Sequence, residues 1–188
     1  PRLDVWLTLS SHEPFEVPCR RLSDERLNAF AFTDDVIGRM VERLRASRAW
    51  DNLLLILVPD HGYQYPSDIA YNSPERHHIP MLWLGGAVRR PLVVGDYASQ
   101  TDLAATLLGQ MSLSHDDFPF SRDLSRGGAS RFGYWTFNDG FGIIDSSGAT
   151  VYDCTSDTIV GSRGSSDSLR LVRGKALLQK TFERIRAL

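Results

Sequence analysis

Lysine is almost missing from this 188-residue chain: of its 21 basic residues only Lys175 and Lys180 are lysines. The others are arginines scattered along the sequence, a bias of genome composition, and 23 acidic residues bring the net charge to −2. A nucleic-acid binder would carry a concentrated positive excess, so no nucleic-acid partner is expected. Cysteine is equally scarce. Cys19 and Cys154 form no C-x-x-C pair and no zinc-finger spacing, which excludes a disulfide scaffold or a structural zinc module. Two buried thiols are the expectation, with a single disulfide open to them in an oxidising compartment. Long apolar runs are absent too. The longest, Leu53 to Val58, has six residues and cannot span a bilayer. The chain also has no G-x-S-x-G, no P-loop, no H-E-x-x-H and no G-x-G-x-x-G, so the common nucleophile, nucleotide and zinc-protease signatures are excluded.

What remains is an ordinary globular composition, 42% hydrophobic and 23% charged, with enough apolar residues for a sizeable core. The chain starts at Pro1 rather than Met, with no signal peptide, and runs straight into a strand-like segment; it reads as a piece of a longer protein. Asp4 to Ser10 alternates and is rich in β-formers. From about Leu27 to Ala46, Val36, Ile37, Met40, Val41 and Leu44 share one helical face, opposite Asp34, Asp35, Arg39, Glu42 and Arg43. Leu53 to Val58 is apolar on both faces, as in a central parallel strand covered on both sides. A polar loop with Pro66 and Pro74 follows, then a short strand from Met81 to Leu84 stopped by Gly85-Gly86, then a helix over 101–110 capped by Ser99, Thr101 or Asp102.

Beyond residue 125 the pattern changes. Phe132 to Phe137 is an aromatic strand, and Phe141 to Asp145 with Ala149 to Tyr152 predicts a hairpin. Ser162 to Ser168 reads as a polar linker. Leu177, Leu178, Phe182, Ile185 and Leu188 form the apolar stripe of a last helix. The expected fold is α/β: a mostly parallel sheet with flanking helices over 1–125, followed by a hairpin-plus-helix subdomain over 126–188.

The strongest chemical signal is Val58-Pro59-Asp60-His61-Gly62, directly after the buried strand. Ligands of open α/β sheets bind beyond the carboxyl ends of strands. A carboxylate and an imidazole side by side are hard-oxygen and borderline-nitrogen donors for one divalent cation, and the same residues also suit a plain turn. His12, in Ser11-His12-Glu13-Pro14-Phe15, follows the first strand. His77-His78-Ile79-Pro80 precedes another, and because neighbours in extended chain point opposite ways, one of the two is expected to face the site.

In order, these elements (S-H-x-P-F, a long helix, an apolar strand ending D-H-G, H-x-I-P, then Ser99-Gln100-Thr101-Asp102-Leu103) resemble the C-terminal half of the lipoteichoic acid synthase group, in the alkaline phosphatase and sulfatase superfamily. The resemblance is good over residues 6–110. It implies an alkaline phosphatase-like fold and a metal-dependent transferase or hydrolase acting on phosphate esters. Asp60 and His61 then match two metal ligands, and His12 with His77 or His78 matches histidines that face the substrate phosphate. The nucleophilic Thr and a Glu ligand would lie upstream, so the chain holds no catalytic nucleophile of its own. The resemblance further implies one manganese or zinc ion, a phospholipid head group or other phosphate or sulfate ester as partner, and transfer of a phosphoglycerol unit. It places the domain outside the cytoplasmic membrane, tethered by upstream transmembrane helices. A sulfatase, a phosphodiesterase and a non-catalytic α/β module are the alternatives.

Overall fold

Asp24 opens the first helix by accepting hydrogen bonds from the backbone N–H groups of Arg26 at 2.8 Å and Leu27 at 3.2 Å, which satisfies two donors that a helix start leaves unpaired. In the computed structural model, which describes residues 2–18, 20–65, 69–126 and 131–187, this helix is α1, Glu25–Arg45. Its half-buried face carries the expected Val36, Ile37, Met40, Val41 and Leu44, and the charged residues between them are exposed. Cys19, Pro66 and Leu188 lie outside the described residues.

The described residues form two compact units. The first comprises residues up to 57 together with 82–91. It contains α1 and a two-stranded ladder, β1 (Leu55–Leu57) with β2 (Leu82–Leu84). Two contacts fasten the segment before α1 to the helix. Ser10 Oγ meets Thr33 Oγ1 at 3.1 Å, and the Phe15 and Phe30 rings meet edge-to-face at 6.4 Å.

Two expectations are corrected here. First, β1 and β2 run antiparallel, with Ile56 opposite Trp83, and no parallel pair occurs among the described residues. An apolar run satisfies either pairing, so the pattern could not choose. The turn chemistry matters more. Gly85, at φ +116°, and Gly86 let the returning chain lie against residues 50–54, where a Cβ on Gly85 would stand 2.1 Å from Leu53 O. Second, residues 4–10 do not form a strand. No neighbour among the described residues completes a ladder with them, and Leu3, Val5, Trp6, Leu7 and Leu9 are 70% to 90% exposed.

The second unit comprises residues 58–81 and 92–188. It is built on α2 (Asp102–Gln110), on β3 (Gly133–Phe137), β4 (Gly140–Asp145), β5 (Gly148–Asp153) and β6 (Thr158–Gly164), and on α3 (Asp167–Arg186). The four strands form an antiparallel meander in the order β3-β4-β5-β6. The expected hairpin is β4–β5. The expected linker, Ser162 to Ser168, is corrected: its first three residues end β6 and its last two begin α3, and β6 itself starts with β-branched Thr158, Ile159 and Val160. Glycines on β4 receive rings from β3: Gly142 stands opposite Trp135 and Gly140 opposite Phe137. A Cβ on Gly142 would lie 2.0 Å from Trp135 Cζ2, and one on Gly140 2.4 Å from Phe137 Cζ.

α3 packs on β4 and β5 over the sheet face that carries buried Phe141, Ile143, Thr150 and Tyr152. Gly174 allows the close approach, since a Cβ there would fall 1.9 Å from Phe141 Cε2. Beside it Arg170 is 1% exposed. Its guanidinium donates to Thr150 Oγ1 at 2.8 Å, Ser147 Oγ at 2.6 Å, Asp145 Oδ1 at 3.1 Å, Asp167 Oδ1 at 3.3 Å and Ser165 O. A buried charge so fully paired ties the helix start to the sheet. Cys154 is exposed in the turn after β5 rather than buried as expected. No helix among the described residues is long and apolar enough to cross a membrane.

Candidate metal and phosphate site

The chain leaves β1 at Leu57, and Asp60 and His61 follow in the second unit. Asp60 Oδ1 accepts the His61 backbone N–H at 2.9 Å. Its other oxygen, Oδ2, lies 3.7 Å from His61 Nε2. His61 Nδ1–H donates to Gly62 O at 2.9 Å. That bond selects the tautomer with the lone pair on Nε2, the nitrogen facing the carboxylate. A cation bound at about 2.1 Å to each donor would bridge a gap of this size. The side chains are 66% and 73% exposed, so the pair is open to a ligand. The donor chemistry and spacing fit two ligands of a divalent-metal site. Among the described residues no group of three or more His, Cys, Asp or Glu side chains converges, so the pair is part of a site rather than a whole one.

Two contacts hold this loop. Gly62 packs against the peptide of Arg76, where a Cβ would stand 2.0 Å from Arg76 O. Gln100 Nε2 donates to Pro59 O at 2.6 Å and to Asp60 O at 3.0 Å. Gln100 precedes α2, whose start is organised by Asp102. That carboxylate is fully buried and accepts from Ser99 N at 2.8 Å and from Arg122 N and Nε at 2.9 Å. Ser99 Oγ in turn accepts the Tyr134 N–H of β3 at 2.9 Å. The sequence showed the Ser99-Gln100-Thr101-Asp102 element as a helix start. It did not show that Gln100 reaches the Asp-His-Gly loop, because no periodicity relates positions 40 residues apart.

The 3-10 turn Pro74–His77 carries the next histidines and is docked on the meander. His77 stacks on Trp135 at 5.2 Å and donates from Nε2 to Tyr71 O at 2.9 Å. Burial pushes its pKa down, and neighbouring Arg76 adds to the effect. His77 is thus a neutral, half-buried ring bound into the framework, whereas His78 is exposed. The two are not neighbours in an extended segment as expected, since His77 ends the 3-10 turn and His78 caps it. His12 belongs to the first unit. It is exposed, and its Nδ1–H donates to Glu13 O at 2.8 Å, which leaves Nε2 free. The structure therefore brings Asp60 with His61, sets the Arg76–His77 peptide against Gly62, and leaves His12 in its own unit.

A family model described as Sulfatase matches residues 1–113. The chain belongs to the sulfatase family. Relatives of this sulfatase-family chain include two proteins named phosphoglycerol transferase I from strains of Xanthomonas campestris pv. campestris. Each is 27% identical over 135 residues, which is 66% of this chain and 19% of the relative. The chain thus spans about a fifth of the length of these curated relatives. A solved protein of the alkaline phosphatase superfamily from Vibrio parahaemolyticus matches with a TM-score of 0.74 at 23% identity, covering 94% of this chain and 48% of that one. The α/β architecture is therefore that of the alkaline phosphatase superfamily. Membership supports an enzyme family, hydrolase or transferase, that acts on phosphoryl or sulfuryl esters.

Proposed function

We propose that this sulfatase-family chain supplies two metal ligands and two phosphate-facing histidines to an extracytoplasmic, membrane-tethered enzyme that moves a phosphoglycerol-type head group from a phospholipid. The observation that carries the reading is the Asp60–His61 pair, with a free carboxylate oxygen and a tautomer-fixed Nε2 at 3.7 Å. A manganese or zinc ion there would neutralise charge on the phosphoryl group and make the attacking oxygen more acidic.

The chain's own residues do the rest of what can be assigned. His78, exposed beside the framework-bound His77, binds a non-bridging oxygen. His12, whose Nδ1–H donates to Glu13 O, is the second phosphate-facing histidine of this reading. The attacking Thr lies outside this chain. The sulfatase match favours a second reading, hydrolysis of a sulfate ester or of a phosphate diester by the same donors, with water as acceptor.

The test uses the full-length gene product. Elemental analysis is expected to find one divalent ion per molecule in the native protein and none in Asp60→Ala, and equal contents in the two would refute the assignment. His12→Ala is expected to keep the metal and to weaken inorganic phosphate binding. Transfer of phosphoglycerol to an acceptor, as against release of free sulfate or glycerol phosphate, separates the two readings.

A further inference from the structure

We infer that Gln100 is a positioning residue for the Asp60–His61 pair. The inference rests on the metal reading above and assigns the group that preorganises it. A primary amide carries two N–H donors, and Gln100 directs them at consecutive carbonyls, Pro59 O at 2.6 Å and Asp60 O at 3.0 Å. Those carbonyls belong to the two peptide planes that flank the Asp60 Cα. Fixing both planes fixes φ and ψ of Asp60, and with them the direction of its side chain. The next residue is fixed from the other side, since Gly62 is pressed to the Arg76 peptide and accepts from His61 Nδ1.

The clamp matters because, among the described residues, the only other ties on the pair are local hydrogen bonds to neighbouring backbone. Both side chains are more than half exposed, so packing does not hold their rotamers. Gln100 itself stands on a firm base. The N–H of Ser99 beside it is held by buried Asp102, and the Ser99 hydroxyl by the backbone of β3. The bonded residues are 40 and 41 positions apart. The glutamine is thus a long-range tie from the start of α2 to the tip of the strand end, and it acts on the metal only through Asp60 and His61.

The experiment titrates manganese into metal-stripped full-length gene product by calorimetry and follows the melting of the metal-free protein. Gln100→Met keeps the length and loses both donors. Its manganese affinity is expected to fall about 10- to 100-fold, the range for residues that orient metal ligands. The metal-free melting midpoint is expected to stay within about 2 °C, as for an exposed substitution in a protein of this size. Gln100→Glu, which sets a carboxylate against two carbonyls, is expected to lose at least as much affinity. An affinity within about twofold of the native protein overturns the inference, with twofold being within ordinary context variation. So does an affinity loss matched by an early metal-free melt, because a merely structural tie would give that result. If the native protein binds manganese no better than Asp60→Ala, the metal reading itself fails, and Gln100 falls with it.

Discussion

Replacing Asp102 with alanine should cost the second unit about 3–5 kcal/mol, the usual penalty for removing one partner of a buried ion pair. The carboxylate is fully buried and faces the Arg122 guanidinium, whose side chain is 18% exposed. Oδ1 accepts Arg122 N and Nε, each at 2.9 Å, while Oδ2 accepts Ser99 N at 2.8 Å and Arg122 Nη2 at 2.5 Å. Alanine leaves all of these donors facing a void. Arg122 would retain Phe132 O at 2.7 Å and the Phe132 ring at 3.7 Å, contacts that cannot replace a counter-charge. Asparagine keeps the shape and one acceptor but turns an NH2 toward donors, so we expect about 2–4 kcal/mol from it. Urea unfolding at pH 7, followed by tryptophan fluorescence with an unchanged slope, reads these losses directly. The double variant Asp102→Leu with Arg122→Met should be at least about 1 kcal/mol more stable than the sum of the single changes predicts, since it removes both charges together. A cost below about 1 kcal/mol for Asp102→Ala, or strict additivity in the double variant, would refute the reasoning.

Arg170→Met should likewise cost about 3–5 kcal/mol at neutral pH, because it strands the carboxylates of Asp145 and Asp167. Burial alone would raise the Asp145 carboxyl, but hydrogen bonds from Ser147 and the charge and hydrogen bond of Arg170 outweigh it and hold its pKa low. Hydrogen bonds from Ser162 and Thr150, with Arg170 behind them, lower Asp167. A depressed carboxylate stabilises the fold above its unfolded pKa near 4, and that contribution disappears as pH falls through the lower folded value. The gap between native and variant urea midpoints should therefore narrow below about pH 4, and a gap constant from pH 7 to 3 would contradict the assignment. Gly174→Ala should destabilise by about 1–3 kcal/mol through its collision with the Phe141 ring. The paired change with Phe141→Leu should recover part of the loss, as calorimetric melting can show.

The elements with strong local signals were legible in the sequence. α1 followed from the apolar spacing of Val36, Ile37, Met40, Val41 and Leu44, and the β4–β5 hairpin from alternation around a Ser-Ser-Gly turn. That Asp60 and His61 stand together as candidate donors was legible, because they are adjacent residues just after a strand. Pairing direction was not. Leu55 to Leu57 presents apolar atoms to both faces, and nothing in such a run distinguishes a parallel neighbour from an antiparallel one. Whether Asp4 to Ser10 forms a ladder depends on a partner strand, which local alternation does not supply. The end of β6 was read as the start of a linker because Ser162 and Gly164 are common in both exposed edges and loops. That His77 is bound into the framework was not legible, because it depends on Trp135, a stacking partner 58 positions away that no local pattern connects to it.

The bare α-carbons of Gly140 and Gly142 also govern how the meander assembles. Sliding β3 by one residue along β4 would set Trp135 opposite Phe141 or Ile143 instead of Gly142, and would swap the sheet face that each β3 side chain occupies. Each ring has one vacant place to lie, two positions apart on the neighbouring strand. The first pair to find its seat therefore sets the alignment of the second, and mismatched arrangements are penalised before α3 needs to arrive.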